Sequence, residues 1–370
     1  MISMSGADEL AVKDIWADSP LRFRKGPRKL AHWADMNAFA DGSYPVYLLS
    51  DDGTVELDPD DFSYDPLDEF KYQFGKWNPD FVPADLRGTY SNGWRICAGP
   101  NGIYVKEDMM IGGIYGKSLN KLDGEEKSFG VAPAVGLVTY AYAYDPAVIF
   151  YDTTNLRFVQ LKTDLQGMRM PTAEETVFPF QTGKKFVYMA GTAHDNDGEI
   201  FTILKDDAGK FWLHGLKMGN YFALSQVKDH YQQLAIPDIE KATAFAFHPI
   251  LYYLFYAVGN EIHQYDMTSG RHRVLPIDFK EEGILEQLPG EKISMLKFNM
   301  FVLGSYSKPA GSEAMQYRLI VGSEKTVSPD EPGGQVRMLE IPSAMDKPAA
   351  VYRSYSGFGK VKDVLYRERK

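Results

Sequence analysis

Between residues 242 and 275 the chain reads ATAFAFHPILYYLFYAVGNEIHQYDMTSGRHRVL, apolar runs separated by short polar breaks. Residues 242–247 end at His248-Pro249, 251–258 at Gly259-Asn260, and 261–266 at Thr268-Ser269-Gly270, before a fourth run over 271–275. Val, Ile, Tyr and Phe fit a pleated, half-buried surface, and Gly, Asn and Pro supply the reversals between them. The pattern predicts one four-stranded antiparallel sheet, the size of a propeller blade.

The same hairpin recurs upstream. Apolar runs flank Asp51-Asp52-Gly53, Gly99-Pro100-Asn101-Gly102, Asp152-Thr153-Thr154-Asn155 and Asp206-Asp207-Ala208-Gly209. With Gly259-Asn260, the turn centres fall near 52, 101, 154, 208 and 259, a step of about fifty residues, the spacing of kelch-like blades. Downstream, residues 318–321 and 335–341 predict a sixth hairpin, and its long connection over 322–334 reads as an exposed loop. One further step back reaches a turn at Ser5-Gly6-Ala7-Asp8 and a strand over 9–16 (ELAVKDIW). The ending over 359–366 (GKVKDVLY) has no hairpin partner and reads as the strand that closes the ring on this clipped first blade, leaving no free edge. The expectation is an all-β, seven-bladed β-propeller of four-stranded antiparallel blades, six being the alternative count, occupying residues 1–370 as a single domain. Short helical turns are expected over 229–239 and 279–288, inside connections.

Composition narrows the function classes. The hydrophobic fraction is 44% with 14% aromatic, enough for a large core of face-packed sheets. A net charge of −10 argues against nucleic acid or an anionic membrane as the main partner. Cys97 is the sole cysteine, which excludes an intrachain disulfide and a thiolate metal cluster, and its apolar neighbours predict a small buried hydrophobe. No apolar stretch reaches membrane-spanning length, and MISMSGADEL has neither the basic n-region nor the h-region of a secretory signal.

Candidate chemistry is sparse. His194-Asp195-Asn196-Asp197-Gly198-Glu199 concentrates oxygen ligands after a predicted inner strand over 186–190, so His194, Asp195, Asp197 and Glu199 form the candidate ion or ligand loop, with calcium the cation to test. The loop lacks the D-x-D-x-D-G register, and Asp and Asn also simply favour turns. No other cofactor is expected. Lys205–Trp212 spacing (KDDAGKFW) matches the D-x-G-x-x-W part of a sialidase-type Asp-box through Asp207, Gly209 and Trp212, a structural turn rather than a catalytic one. The acidic run with Asp58, Asp60, Asp61, Asp65, Asp68 and Glu69 could supply paired carboxylates, though a solvated acidic loop is the plainer reading. Trp33, Tyr64, Trp77, Phe81 and Tyr115 could stack on sugar rings. Of the seven histidines, His263 and His272 fall on adjacent strands and are placed to meet on one face.

Residues 148–161 (VIFYDTTNLRFVQL), 185–217 (KFVYMAGTAHDNDGEIFTILKDDAGKFWLHGLK) and 356–367 (SGFGKVKDVLYR) resemble the C-terminal propeller-like region of the PKD-like family of Bacteroidetes surface lipoproteins. The resemblance rests on strand and turn patterns over most of the chain. It implies a cell-surface or periplasmic location beside glycan-uptake systems, with a glycan or an outer-membrane uptake protein as partner. Members carry a lipoprotein signal and immunoglobulin-like modules ahead of the propeller, so Met1 reads as lying inside a longer protein. Two functions are carried forward. One is a non-catalytic binding module presenting propeller-mouth loops to a glycan or protein; the alternative is a carbohydrate-active enzyme, a glycoside hydrolase or lyase with carboxylates around the channel.

Overall fold

The computed structural model describes residues 2–4, 10–12, 26–32, 46–58, 62–65, 67, 69–74, 81–88, 94–100, 102–107, 114–138, 147–192, 198–218, 223–280, 282–298, 317–328 and 331–365. Among them, six sheets, antiparallel except where Ile277–Asp278 pairs parallel with Ala349–Phe358 in the sixth, stand around one axis as a six-bladed β-propeller. Each blade begins with its inner strand and steps outward. Blade 1 holds Pro27–His32, Val46–Ser50 and Gly53–Leu57, and blade 2 holds Asp85–Gly88, Trp94–Gly99 and Gly102–Glu107. Gly136–Val138, Ala147–Asp152, Arg157–Leu161 and Met168–Arg169 make blade 3. Blade 4 is Lys185–Thr192, Glu199–Lys205 and Phe211–Met218, with Leu224–Gln226 and Gln232–Gln233 both on its outer edge. Blade 5 is Ala244–Phe247, Tyr253–Val258, Glu261–Asp266 and His272–Val274, the hairpin series read from the sequence. Blade 6 is Lys292–Phe298, Arg318–Glu324, Gly334–Glu340 and Ala349–Phe358, extended by Ile277–Asp278 and Ile284–Leu285.

The five evenly spaced turns all join the second and third strands of a blade, from Ser50↔Gly53 in blade 1 to Val258↔Glu261 in blade 5. The second strands are covered on both faces, which is why they read as continuous apolar runs: every residue of Ala147–Asp152 is buried between blades 2 and 4, and every residue of Val46–Ser50 is buried with blade 2 on one face and Tyr64 and Leu365 on the other. The core is a series of layers between blades. Phe150 and Val148 pack on Ile96 and Ile103 of blade 2, and Tyr256 and Leu254 of blade 5 pack on Phe201 and Ile203 of blade 4. Cys97 is buried there, its Sγ 3.6 Å from the Tyr104 carbonyl, and burial pushes its thiol well up.

The seventh blade is absent among the described residues. Leu10–Val12 pairs only with Ile2–Met4, in a separate two-stranded ribbon. The predicted closing strand over 359–366 does not form among its described residues, 359–365, which have no sheet partner, because Ala349–Phe358 already completes blade 6 against Gly334–Glu340; residue 366 lies outside the described residues. Residues 361–365 instead bridge blade 6 and blade 1. Val361 O accepts from Ser294 Oγ (2.7 Å), Asp363 accepts from Lys297 Nζ (2.8 Å) and from the Leu30 amide (2.9 Å), and Leu365 packs beside Leu30. The ring is closed by side chains where backbone pairing was expected.

Two smaller expectations also change. The connection over 322–334 is partly a ribbon, Thr326–Ser328 against Glu331–Pro332. Residues 229–239 do contribute 3-10 turns, at Lys228–His230 and Ile239–Lys241, but 279–288 does not: Lys280 and Gly283 take positive φ (59° and 84°) and reverse the chain so that Ile284–Leu285 pairs with Ile277–Asp278.

Candidate functional site

The inner strands converge on an axial pocket of about 100 Å³. Its wall is drawn from blades 1, 2, 4, 5 and 6, with Leu365 of the C-terminal segment completing it. Three cationic side chains stand on that wall: Lys29 of blade 1, Arg87 of blade 2 and Lys297 of blade 6. Tyr188 and Phe247 supply its aromatic part, with Tyr188 stacked on Phe245 at 5.6 Å between ring centres. Blade 3 comes close from behind. Gly191 allows this, because a Cβ there would stand 2.6 Å from the Leu137 carbonyl.

Two carboxylates back the cations without joining the wall. Asp85, buried at the start of blade 2, accepts from Lys29 Nζ at 2.5 Å and from the Val135 amide at 2.9 Å, and Arg87 Nε lies 3.4 Å away. It thereby ties blades 1, 2 and 3 together. Burial alone would raise its carboxyl, yet Arg87 and Lys29 hold it at about 2. Burial pulls the Lys29 ammonium down, opposed by Asp85 and reinforced by the like charges of Arg87 and Lys297. Asp85 raises Arg87 above its already high value. Burial pushes the Tyr188 hydroxyl up to about 12, so it stays protonated at neutral pH. Asp363 is the second carboxylate, saturated by Lys297, the Leu30 amide and its own neighbour's amide at Val364.

Sequence reasoning missed this pocket. Lys29, the pair Asp85 and Arg87, and Lys297 carry no motif and lie in three separate stretches; only the ring brings them together. The inner strands themselves, PRKLAH, DLRG and KISMLKF, mix charged and apolar residues and give no signal that sets these positions apart.

Of the candidate ion loop, His194, Asp195 and Asp197 lie outside the described residues. Glu199 opens the second strand of blade 4 and is buried, its Oε1 2.6 Å from His230 Nδ1 and its Oε2 3.9 Å from Lys217 Nζ. Gly215 on the paired strand makes the space for this carboxylate, since a Cβ there would collide with Glu199 Oε1. Among the described residues, no group of three or more His, Cys, Asp or Glu is placed to hold a metal.

His263 and His272 do meet. Nδ1 of His263 is 3.1 Å from Nε2 of His272, which also lies 2.9 Å from the Tyr256 hydroxyl. The Asp-box-like turn forms with its register moved by one: Asp206, not Asp207, accepts from the Lys210 amide and from Trp212 Nε1, each at 2.8 Å. The proposed sugar-stacking aromatics divide. Trp33 and Trp77 lie outside the described residues, whereas Tyr115 is fully buried and packs with Phe70, Phe74 and Phe81 as core. Of the acidic run, Asp60, Asp61 and Asp68 are likewise outside them. No helix among the described residues is long and apolar enough to cross a membrane.

No family model matches the chain, and no curated protein does. Among solved structures it is similar to a chain of a mitotic checkpoint complex, at 10% identity over 96% of this chain and 91% of that one, with a TM-score of 0.45. It is similar to the extracellular domain of a putative one-component system from B. thetaiotaomicron, at 10% identity and a TM-score of 0.45, over 87% of this chain and 33% of that chain. The chain thus spans about a third of the length of that relative. The WD40 domain of SCAP from fission yeast aligns at 9% identity over 86% of this chain and 64% of that one, with a TM-score of 0.39.

Proposed function

We propose that the chain is a non-catalytic binding module of a cell-surface or periplasmic complex, seating a ligand over the axial pocket and presenting the neighbouring loops to a glycan or to a protein of a glycan-uptake system. One observation carries the non-catalytic part: among the described residues, the two carboxylates at the axis are consumed by ion pairs and amide donors. Glycoside hydrolysis needs a carboxyl that is protonated at working pH, facing a second one that is ionised. Asp85, held at about 2, cannot donate a proton at neutral pH, and Asp363 has both oxygens engaged in closing the ring. The location and the glycan partner rest on the resemblance to the PKD-like family. A glycan array followed by a product assay on every hit tests the reading. Retention of a glycan with no new reducing ends or unsaturated products is the expected result. Turnover of a bound glycan would overturn the non-catalytic reading, and an empty array together with capture of an outer-membrane protein would move the ligand from sugar to protein. Calcium at the loop over 194–199 is tested separately, by calorimetry on wild type and Asp195→Ala.

A further inference from the structure

The axial pocket has a charge pattern that selects among ligands. Among the described residues its wall carries three cationic side chains and no acidic one, because Asp85 and Asp363 sit behind it. Counting those two, the cluster keeps an excess of one positive charge inside a chain of net charge −10. Nor are the cations used up. Each lysine has three donors, and Lys29 and Lys297 each give one to a carboxylate among the described residues. Arg87 offers only Nε, at a long 3.4 Å, so the two terminal nitrogens of its fork make no hydrogen bond among the described residues. Its side chain is 37% exposed, the most open of the three. The Tyr188 hydroxyl stands on the same wall as a neutral donor.

Size narrows the choice further. A volume of about 100 Å³ holds several waters but not a sugar ring with its substituents. The pocket therefore takes one functional group of a larger ligand.

We infer that the axial pocket is an anion subsite that takes a carboxylate, that of an acidic sugar of the uronate class, with the Arg87 fork as its anchor and Lys29, Lys297 and the Tyr188 hydroxyl around it. A planar guanidinium pairs with a planar carboxylate through two parallel N–H bonds, which a lysine cannot do. Ala190, Phe247 and Phe298 make the remaining wall apolar, which strengthens the pair relative to one surrounded by solvent on every side. The sugar identity rests on the proposed function; the anion subsite does not.

The test is a titration of the full chain with acetate, glucuronate, inorganic phosphate and glucose, read by calorimetry and by amide shifts at Leu30, Leu86 and Ala190 on the pocket wall. Acetate and glucuronate should bind and shift those amides, glucose should not, and added salt should weaken the binding. Arg87→Gln should weaken glucuronate binding roughly tenfold to a hundredfold, the range expected for losing a hydrogen bond to a charged group. The exposed Arg271→Gln should leave it unchanged. Flat titrations with all three anions, shifts away from the pocket, or equal affinity in Arg87→Gln would overturn the subsite, and binding of phosphate alone would overturn the carboxylate assignment. If Arg87→Gln fails to fold, the wild-type amide shifts decide. An array that retains only neutral glycans, with no anion binding, would sink this subsite and leave the binding function standing.

Discussion

Replacing Asp363 with alanine should loosen the ring at the point where its ends meet. In the folded chain this carboxylate holds Lys297 Nζ at 2.8 Å and the Leu30 amide at 2.9 Å, so one side chain joins the inner strands of blades 6 and 1. The pair is largely out of solvent, with Asp363 10% exposed and Lys297 22%. Removing one partner of a fully buried pair costs about 3–5 kcal/mol, because the remaining charge is stranded. The residual exposure of Lys297 lets water relieve part of that, which brings the expected loss to about 2–4 kcal/mol. For a chain of 370 residues, an unfolding entropy of about 2.1 cal/mol/K per residue converts this to a fall of roughly 3–5 °C in melting temperature. Thermal and urea melts of wild type, Asp363→Ala, Lys297→Met and the double variant measure it. The double variant should recover part of the loss, since no unpaired charge is left, and hydrogen exchange at the Leu30 amide should speed up in Asp363→Ala. A truncation after Gly357 should cost more, because it also removes Val361, which is buried against Gly322 and Met295. A melting point within a degree of wild type for Asp363→Ala, with unchanged exchange at Leu30, would refute closure by this segment.

Acid should destabilise the fold well before its carboxylates protonate. Burial holds His214 and His248 at about 3, the nearby Lys184 adding to the effect at His214, and His248 Nδ1 already accepts from the Ile250 and Leu251 amides. Both are neutral when folded and take up a proton near 6.5 when unfolded, so their contribution is complete above pH 6.5 and lost as pH falls toward 3. At pH 4.5 that is about 2–3 kcal/mol each, visible as a lower urea midpoint, and His214→Leu should flatten the dependence between pH 6.5 and 4.5. Gly215→Ala should cost about 1–3 kcal/mol, read in the same melts, because its Cβ would stand on Glu199 Oε1 and 2.7 Å from His230 Cβ. Glu291→Ala should cost about 3–5 kcal/mol, since it strands Arg337, whose two terminal nitrogens both bond that buried carboxylate at 2.6 Å, and Glu291→Gln should recover some of it.

What the sequence determined by itself is the hairpins and their repetition. Alternation of apolar runs with Gly, Asn and Asp turns specifies the hairpins, and a regular step between turns specifies that blades repeat, because each hairpin is made of neighbours in the chain. The strands of blade 5 begin and end within two residues of the runs read from 242 to 275. The meeting of His263 with His272 belongs here too, as both lie on one hairpin. The number of blades, the means of closure and the pocket were decided only by the tertiary structure. A strand-like ending such as GKVKDVLY has the right alternation for an edge, and nothing local shows that Ala349–Phe358 has already taken that place. The residues of the axis are a clearer case. Lys29, Asp85, Arg87, Lys297 and Asp363 are separated by up to 334 positions in the chain, yet they meet because six inner strands share one axis. Each alone looks like an ordinary charged residue of a short strand or of the chain's ending; only ring closure brings them together and makes their charges answer to one another.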